Sequence, residues 1–102
     1  DTTWQIITRS ASAATKTDTG LTIASGQILD FYIFATPNDS NVTVRVVEQT
    51  ASGPNVVVDS LSLTANLPVN TTFMYAQHQI RSTTGTTAKG YALNRIYIET
   101  DI

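Results

Sequence analysis

From Ile28 to Gln49 the chain reads ILDFYIFATPNDSNVTVRVVEQ: an apolar run, a polar interruption and a second apolar run. The first run is β-branched or aromatic almost throughout, the second is rich in valine, and both compositions suit strands. Between them stands Pro37-Asn38-Asp39-Ser40-Asn41. Proline fixes φ and lacks a donor, while Asn and Asp bond nearby backbone, so this stretch predicts a turn. Ile28 to Ala35 is apolar at both parities apart from Asp30, which predicts a central strand covered on both faces. The return strand alternates, with Val42, Val44 and Val46 on one face and Thr43 and Arg45 on the other. One side of this hairpin is expected to build a core.

The rest of the chain repeats the theme in shorter pieces. Trp4 to Arg9 predicts a strand, and Ser10 to Gly20, small and polar without a sustained period, predicts a loop. Leu21 to Ala24 predicts a brief strand and Ser25-Gly26 a turn. Thr50 to Asn55 carries Gly53-Pro54 and reads as a turn before the strand Val56 to Leu63. In that strand Asp59 shares the parity of Val57, Leu61 and Leu63, a mismatch that predicts a bulge or a break. Thr64 to Asn70 is a connection whose Leu67-Pro68 is expected to plug one end of a sandwich. Thr71 to Arg81 alternates Phe73, Tyr75, Gln77, Gln79 and Arg81 against Met74, Ala76, His78 and Ile80. Ser82 to Thr87 predicts a turn, and Ala88 to Thr100 a closing strand. The sum is about seven short strands at the spacing of an all-β, antiparallel sandwich of jelly-roll-like form.

Composition narrows the class. The chain has 102 residues, which bounds it to a single domain, 1–102, with one core. Only 14% of residues are charged, and threonine, serine, asparagine and glutamine carry the polarity instead. A net charge of −2 with scattered Lys and Arg argues against a nucleic-acid partner. With no cysteine there is no disulfide, thiol nucleophile or Cys-based zinc site. No apolar run is long enough for a membrane helix. The chain opens on Asp1 and reads as a module or fragment of a longer protein.

Tests for chemistry point away from an enzyme. His78 is the single histidine, and its parity mates Met74, Ala76 and Ile80 make it a buried or interface imidazole. No serine sits in a G-x-S-x-G elbow, as a hydrolase nucleophile on such a turn requires. Asp18 and Asp39 lie in turn-like segments where Asx turns are the ordinary reading, and Glu99 and Asp101 read as solvated. Calcium at Asp39 with Asn38 and Asn41 lacks EF-hand spacing, so no metal or other cofactor is expected. The glycines in turns are isolated and form no phosphate-cradling loop. N-x-[S/T] triplets at Asn38, Asn41 and Asn70 are near what a Ser/Thr-rich chain yields by chance.

The aromatics offer a different chemistry. Most of Trp4, Tyr32, Tyr75, Tyr91 and Tyr97 are expected to fill a small core. Tyr75 is the exception, because Gln77, Gln79 and Arg81 share its parity. This aromatic and amide-rich stripe is the candidate ligand-binding surface, facing either a saccharide or another subunit.

Three segments carry a family resemblance: DFYIFATPND (Asp30 to Asp39), LPVNTTFMYAQHQI (Leu67 to Ile80) with the following STTGTTA turn, and the closing RIYIETDI (Arg95 to Ile102). Together they resemble the C-terminal β-sandwich modules of tailed-bacteriophage tail fibres and related virion appendages. The resemblance implies a non-enzymatic virion protein that forms homo-oligomers, with trimers favoured, among other virion proteins. It also implies attachment to host-surface glycans by display in several copies. Alternatives are a purely structural capsid or tail decoration protein and a carbohydrate-binding module. In the family further strands precede the tryptophan-bearing one, whereas almost nothing precedes Trp4 here. Either the module is shortened, or another segment or subunit completes that sheet edge.

Overall fold

The computed structural model describes residues 2–11, 13–36, 39–69, 77, 79 and 92–99. The chain divides by its internal contacts into two units, Asp1–Thr72 and Phe73–Ile102. The first unit is all-β: β1 Thr3–Arg9, β2 Ala14–Thr22, β3 Leu29–Ala35, β4 Val42–Thr50 and β5 Gly53–Leu63. β1 and β2 pair as one antiparallel sheet, and a second antiparallel sheet runs in the order β3-β4-β5. No helix occurs among the described residues.

β4 lies in the middle of its sheet because its valines give it a face worth burying. Val44 and Val46 are 1% and 0% exposed and form the core with Val58 and Leu63 of β5. Ile6 of β1 and Leu21 of β2 pack onto this cluster, so the smaller sheet supplies its cover. Leu67 joins as the connection after β5 returns, while Pro68 beside it stays exposed. The tie is also polar. Thr8 Oγ1 donates to the Ala65 carbonyl (2.7 Å) and Asn66 Nδ2 to Thr15 Oγ1 (2.7 Å). Asn66 sits at φ 53°, a left-handed turn position that asparagine tolerates.

The link from β2 to β3 is held by Gln27. Its Oε1 accepts from Trp4 Nε1 (3.1 Å) and from the Ala24 amide (2.9 Å), and its Nε2 donates to the Thr22 carbonyl (3.0 Å). Trp4 in turn meets Phe31 edge-to-face, with ring centroids 6.2 Å apart. One amide thus positions the tryptophan that touches β3.

Four sequence expectations are corrected. The loop expected over Ser10 to Gly20 is mostly strand β2. Thr15, Thr17, Thr19 and Leu21 form a half-buried row alternating with exposed Lys16, Asp18 and Gly20. Threonine is polar by composition yet packs as a β-branched side chain, which hid the alternation. The turn expected over Thr50 to Asn55 is shorter: β4 ends at Thr50 and β5 begins at Gly53. Gly53 takes φ 111°, and Thr50 Oγ1 donates to its carbonyl (2.7 Å), so the chain reverses early. The strand expected to be covered on both faces, Ile28 to Ala35, has large side chains exposed on both, and among the described residues it pairs on one side only, with β4. Finally, 92–99, expected within the closing strand, take no sheet pairing. Five strands lie among the described residues. The strand expected over Thr71 to Arg81 lies outside the described residues, apart from Gln77 and Gln79.

The bulge expected near Asp59 is present. Between the pairs Val44↔Leu61 and Val46↔Val58, β4 advances two residues while β5 advances three. Between Val46↔Val58 and Val47↔Val56 the steps are one and two. The extra residues leave Asp59 and Ser60 exposed and let the adjacent Val57 and Val58 both reach the core.

β2 carries an irregularity of its own between Thr3↔Thr22 and Gln5↔Asp18, where Gly20 adopts φ 74°. The Asp18 carboxylate accepts the Gly20 amide (2.7 Å) and the Thr3 hydroxyl (2.9 Å). The Gly20 amide, then Gln5 and Thr3, stabilise the ionised form and hold its pKa below the ordinary aspartate value.

Val46→Ala is expected to cost about 2–3 kcal/mol through lost transfer energy and a cavity, and Val56→Ala, on the exposed face, less than about 1 kcal/mol. Urea unfolding read by Trp4 fluorescence measures both, and equal losses would contradict the placement of the core. For Asp18, a lowered folded pKa means its contribution is complete above the unfolded value of about 3.9 and is lost as pH falls through the lower folded value. The Gly20 amide resonance, followed during an acid titration, is therefore expected to shift with a midpoint below about 3.9. A midpoint at or above that value removes the assigned role.

Candidate functional site

Two surfaces of the β3-β4-β5 sheet stand out, and both follow from the parity of β3. In an antiparallel ladder alternate residues exchange backbone hydrogen bonds with the partner strand. The Gln49 amide donates to the Ile28 carbonyl (2.9 Å), which sets the phase. Asp30, Tyr32 and Phe34 therefore turn their N–H and C=O groups toward β4, opposite Val47, Arg45 and Thr43. Leu29, Phe31, Ile33 and Ala35 turn theirs to the edge, where no described strand pairs with them.

The first surface is the sheet face opposite the core. Tyr32, Arg45, Val47, Gln49, Pro54 and Val56 line an open groove of about 640 Å³. The register explains the grouping, since Tyr32 faces Arg45, Val47 faces Val56 and Gln49 faces Pro54 across the ladder. Gln49 Nε2 donates to Asp30 Oδ2 (2.8 Å), which fixes the amide at the groove wall and leaves its Oε1 to accept another bond. The floor is aliphatic and the walls supply a phenol, a guanidinium and an amide. A ring lying on Tyr32 with hydroxyls reaching Arg45 and Gln49 fits this set, as does an extended peptide.

The second surface is the β3 strand itself. Phe31, Tyr32, Ile33 and Phe34 are 48%, 56%, 71% and 66% exposed, so apolar side chains meet solvent on both faces of one edge strand. The β3–β4 register runs without a shift from Leu29↔Glu48 to Ala35↔Val42, leaving that edge regular.

The stripe singled out in the sequence lies in the second unit. Gln77 and Gln79 are both exposed, and Gln77 Nε2 donates to Gln79 Oε1 (3.4 Å). Tyr75 and Arg81, and likewise His78, lie outside the described residues. In the same unit Tyr97 Oη donates to Glu99 Oε2 (3.1 Å), and Leu93, Ile96, Tyr97 and Ile98 are exposed. No group of three or more His, Asp or Glu side chains suited to a metal ion occurs among the described residues. Sequence reasoning missed the Tyr32–Arg45–Gln49 groove because those residues belong to two strands and meet only through the register. The usable signal was Asp30: a carboxylate in an apolar run marks the face that is not core. No family model, curated protein or solved structure matches the chain.

Proposed function

We propose that the chain is a non-enzymatic structural module of a bacteriophage tail fibre or related virion appendage, displayed in several copies for attachment to host-surface glycans. One observation carries the reading: β3 exposes Phe31, Tyr32, Ile33 and Phe34, and no described strand pairs with its outer side. A contiguous apolar strand with unpaired backbone groups is a liability on a free monomer and a joint in an assembly. The low charged fraction of 14% suits surfaces that are covered by neighbours, because few ions need desolvating. In the same proposal the two sheets belong to a jelly-roll-like sandwich of about seven strands.

The attachment chemistry is that of weak saccharide sites made effective by repetition. A single groove with one aromatic face and a few polar groups holds a sugar feebly, and several on one particle gain by effective concentration. The Tyr32 groove supplies those residue types, and the stripe Tyr75, Gln77, Gln79 and Arg81 is a second proposed contact surface. A decoration protein without a receptor is the other reading, favoured by the fact that an apolar edge needs neighbours and no ligand.

The test pairs light scattering on the purified full chain with binding to an array of bacterial surface polysaccharides. The expected outcome is a homo-oligomer that retains polysaccharide, with Tyr32→Ala weakening retention about tenfold through lost stacking. Assembly without retention selects the decoration protein. A monomer that retains nothing sinks both.

A further inference from the structure

We propose that β3 is a twofold joint, pairing antiparallel with β3 of a second copy about an axis through Tyr32, so that two three-stranded sheets become one of six strands. This deepens the reading of the chain as a multi-copy module and rests on it.

The first argument is the contrast between the two edges of the sheet. The β5 edge is guarded: it carries Pro54, an exposed Asp59 and the double register shift, all of which obstruct an added strand. β3 carries no proline, lysine or register shift. Its one acidic residue is Asp30, whose carboxylate already accepts from Gln49. One edge is closed to partners, and among the described residues no strand covers the other.

The second argument is that β3 complements itself. Centred on Tyr32, the pairing sets Phe31 opposite Ile33 of the second copy, Leu29 opposite Ala35, and Asp30 opposite Phe34. The residues whose N–H and C=O groups face the free edge are Leu29, Phe31, Ile33 and Ala35. In this register every one of them meets another of the same set, so no edge-facing group of the strand is left unpaired. The core-side face gains two aromatic–β-branched pairs, a favourable cross-strand combination. Charge agrees: the two Asp30 carboxylates fall four positions apart, about 13 Å, beyond the screening length of about 8 Å in physiological salt. A slip by one residue would point the core-side row of one copy at the groove-side row of the other, and a slip by two abandons pairs at one end. An isologous joint closes with two copies, so the assembly has an even number of chains, in place of the trimer that the family resemblance implies. Pairing also brings the two Tyr32 grooves side by side on one continuous face.

The absence of cysteine makes a direct test possible in the full chain. Tyr32→Cys sits at a non-hydrogen-bonded pair, where Cα atoms of facing residues approach to about 4.5 Å, within disulfide reach. Phe34→Cys is the control, with its two sulfurs about four residues apart along the ladder. Under a glutathione buffer, Tyr32→Cys is expected to give a covalent dimer on non-reducing gels, at least about ten times the yield from Phe34→Cys. In the unmodified protein, the Phe31 and Ile33 amides are expected to exchange more slowly as concentration rises. An assembly in which Tyr32→Cys does not cross-link and those amides are indifferent to concentration overturns the joint but leaves the multi-copy reading. A chain that stays monomeric at every concentration overturns both. If Tyr32→Cys loses its β-sheet circular dichroism, amide exchange in the unmodified chain decides alone.

Discussion

The architecture of the first unit depends on burying one face of β4. Val44 and Val46 are almost wholly removed from water, and no other described side chain is as deeply buried. Two valines and the Val58 and Leu63 beside them make a small core, so its cover matters as much as its contents. That cover comes from Ile6 and Leu21 on the two-stranded sheet, and the polar ties at Ala65 and Asn66 hold the same sheet in place. Backbone bonds pair the strands within each sheet, whereas apolar burial and these side-chain ties join one sheet to the other.

Among the described residues much apolar surface lies outside this core. The sheet spends its irregularities on one side: the bulged β5 bends its backbone, exposes Asp59 and still delivers Val57 and Val58 to the cluster. β3 keeps a regular ladder and exposes four large side chains in succession. The same bulge that packs the interior therefore also distinguishes the two edges, which links core packing to the choice of interaction surface.

The groove-side face shows how chemistry is assembled by register. Tyr32, Arg45 and Gln49 are separated by a turn in sequence and become neighbours because β3 and β4 pair with Ile28 against Gln49. A shift of one residue would send Arg45 toward the core and bring Val44 outward, destroying core and groove together. The buried valines thus hold the polar groups of the opposite face in position.

Several features were legible in the sequence by itself. The hairpin of β3 and β4 follows from two apolar runs around Pro37-Asn38-Asp39, and the inward row of β4 from valines at every second position. Asp59 announced its bulge by breaking the parity of its neighbours. These are local signals, written in residues adjacent along the chain. What only the tertiary structure decided is where each strand stands. Ser10 to Gly20 reads as loop until β1 lies beside it and its threonines gain a partner to pack against. Ile28 to Ala35 has the composition of a strand between two others, and nothing within it distinguishes a central place from an edge. Position in a sheet is set by which distant segment pairs with each side, a contest of non-local contacts against loop closure that no single stretch of sequence records.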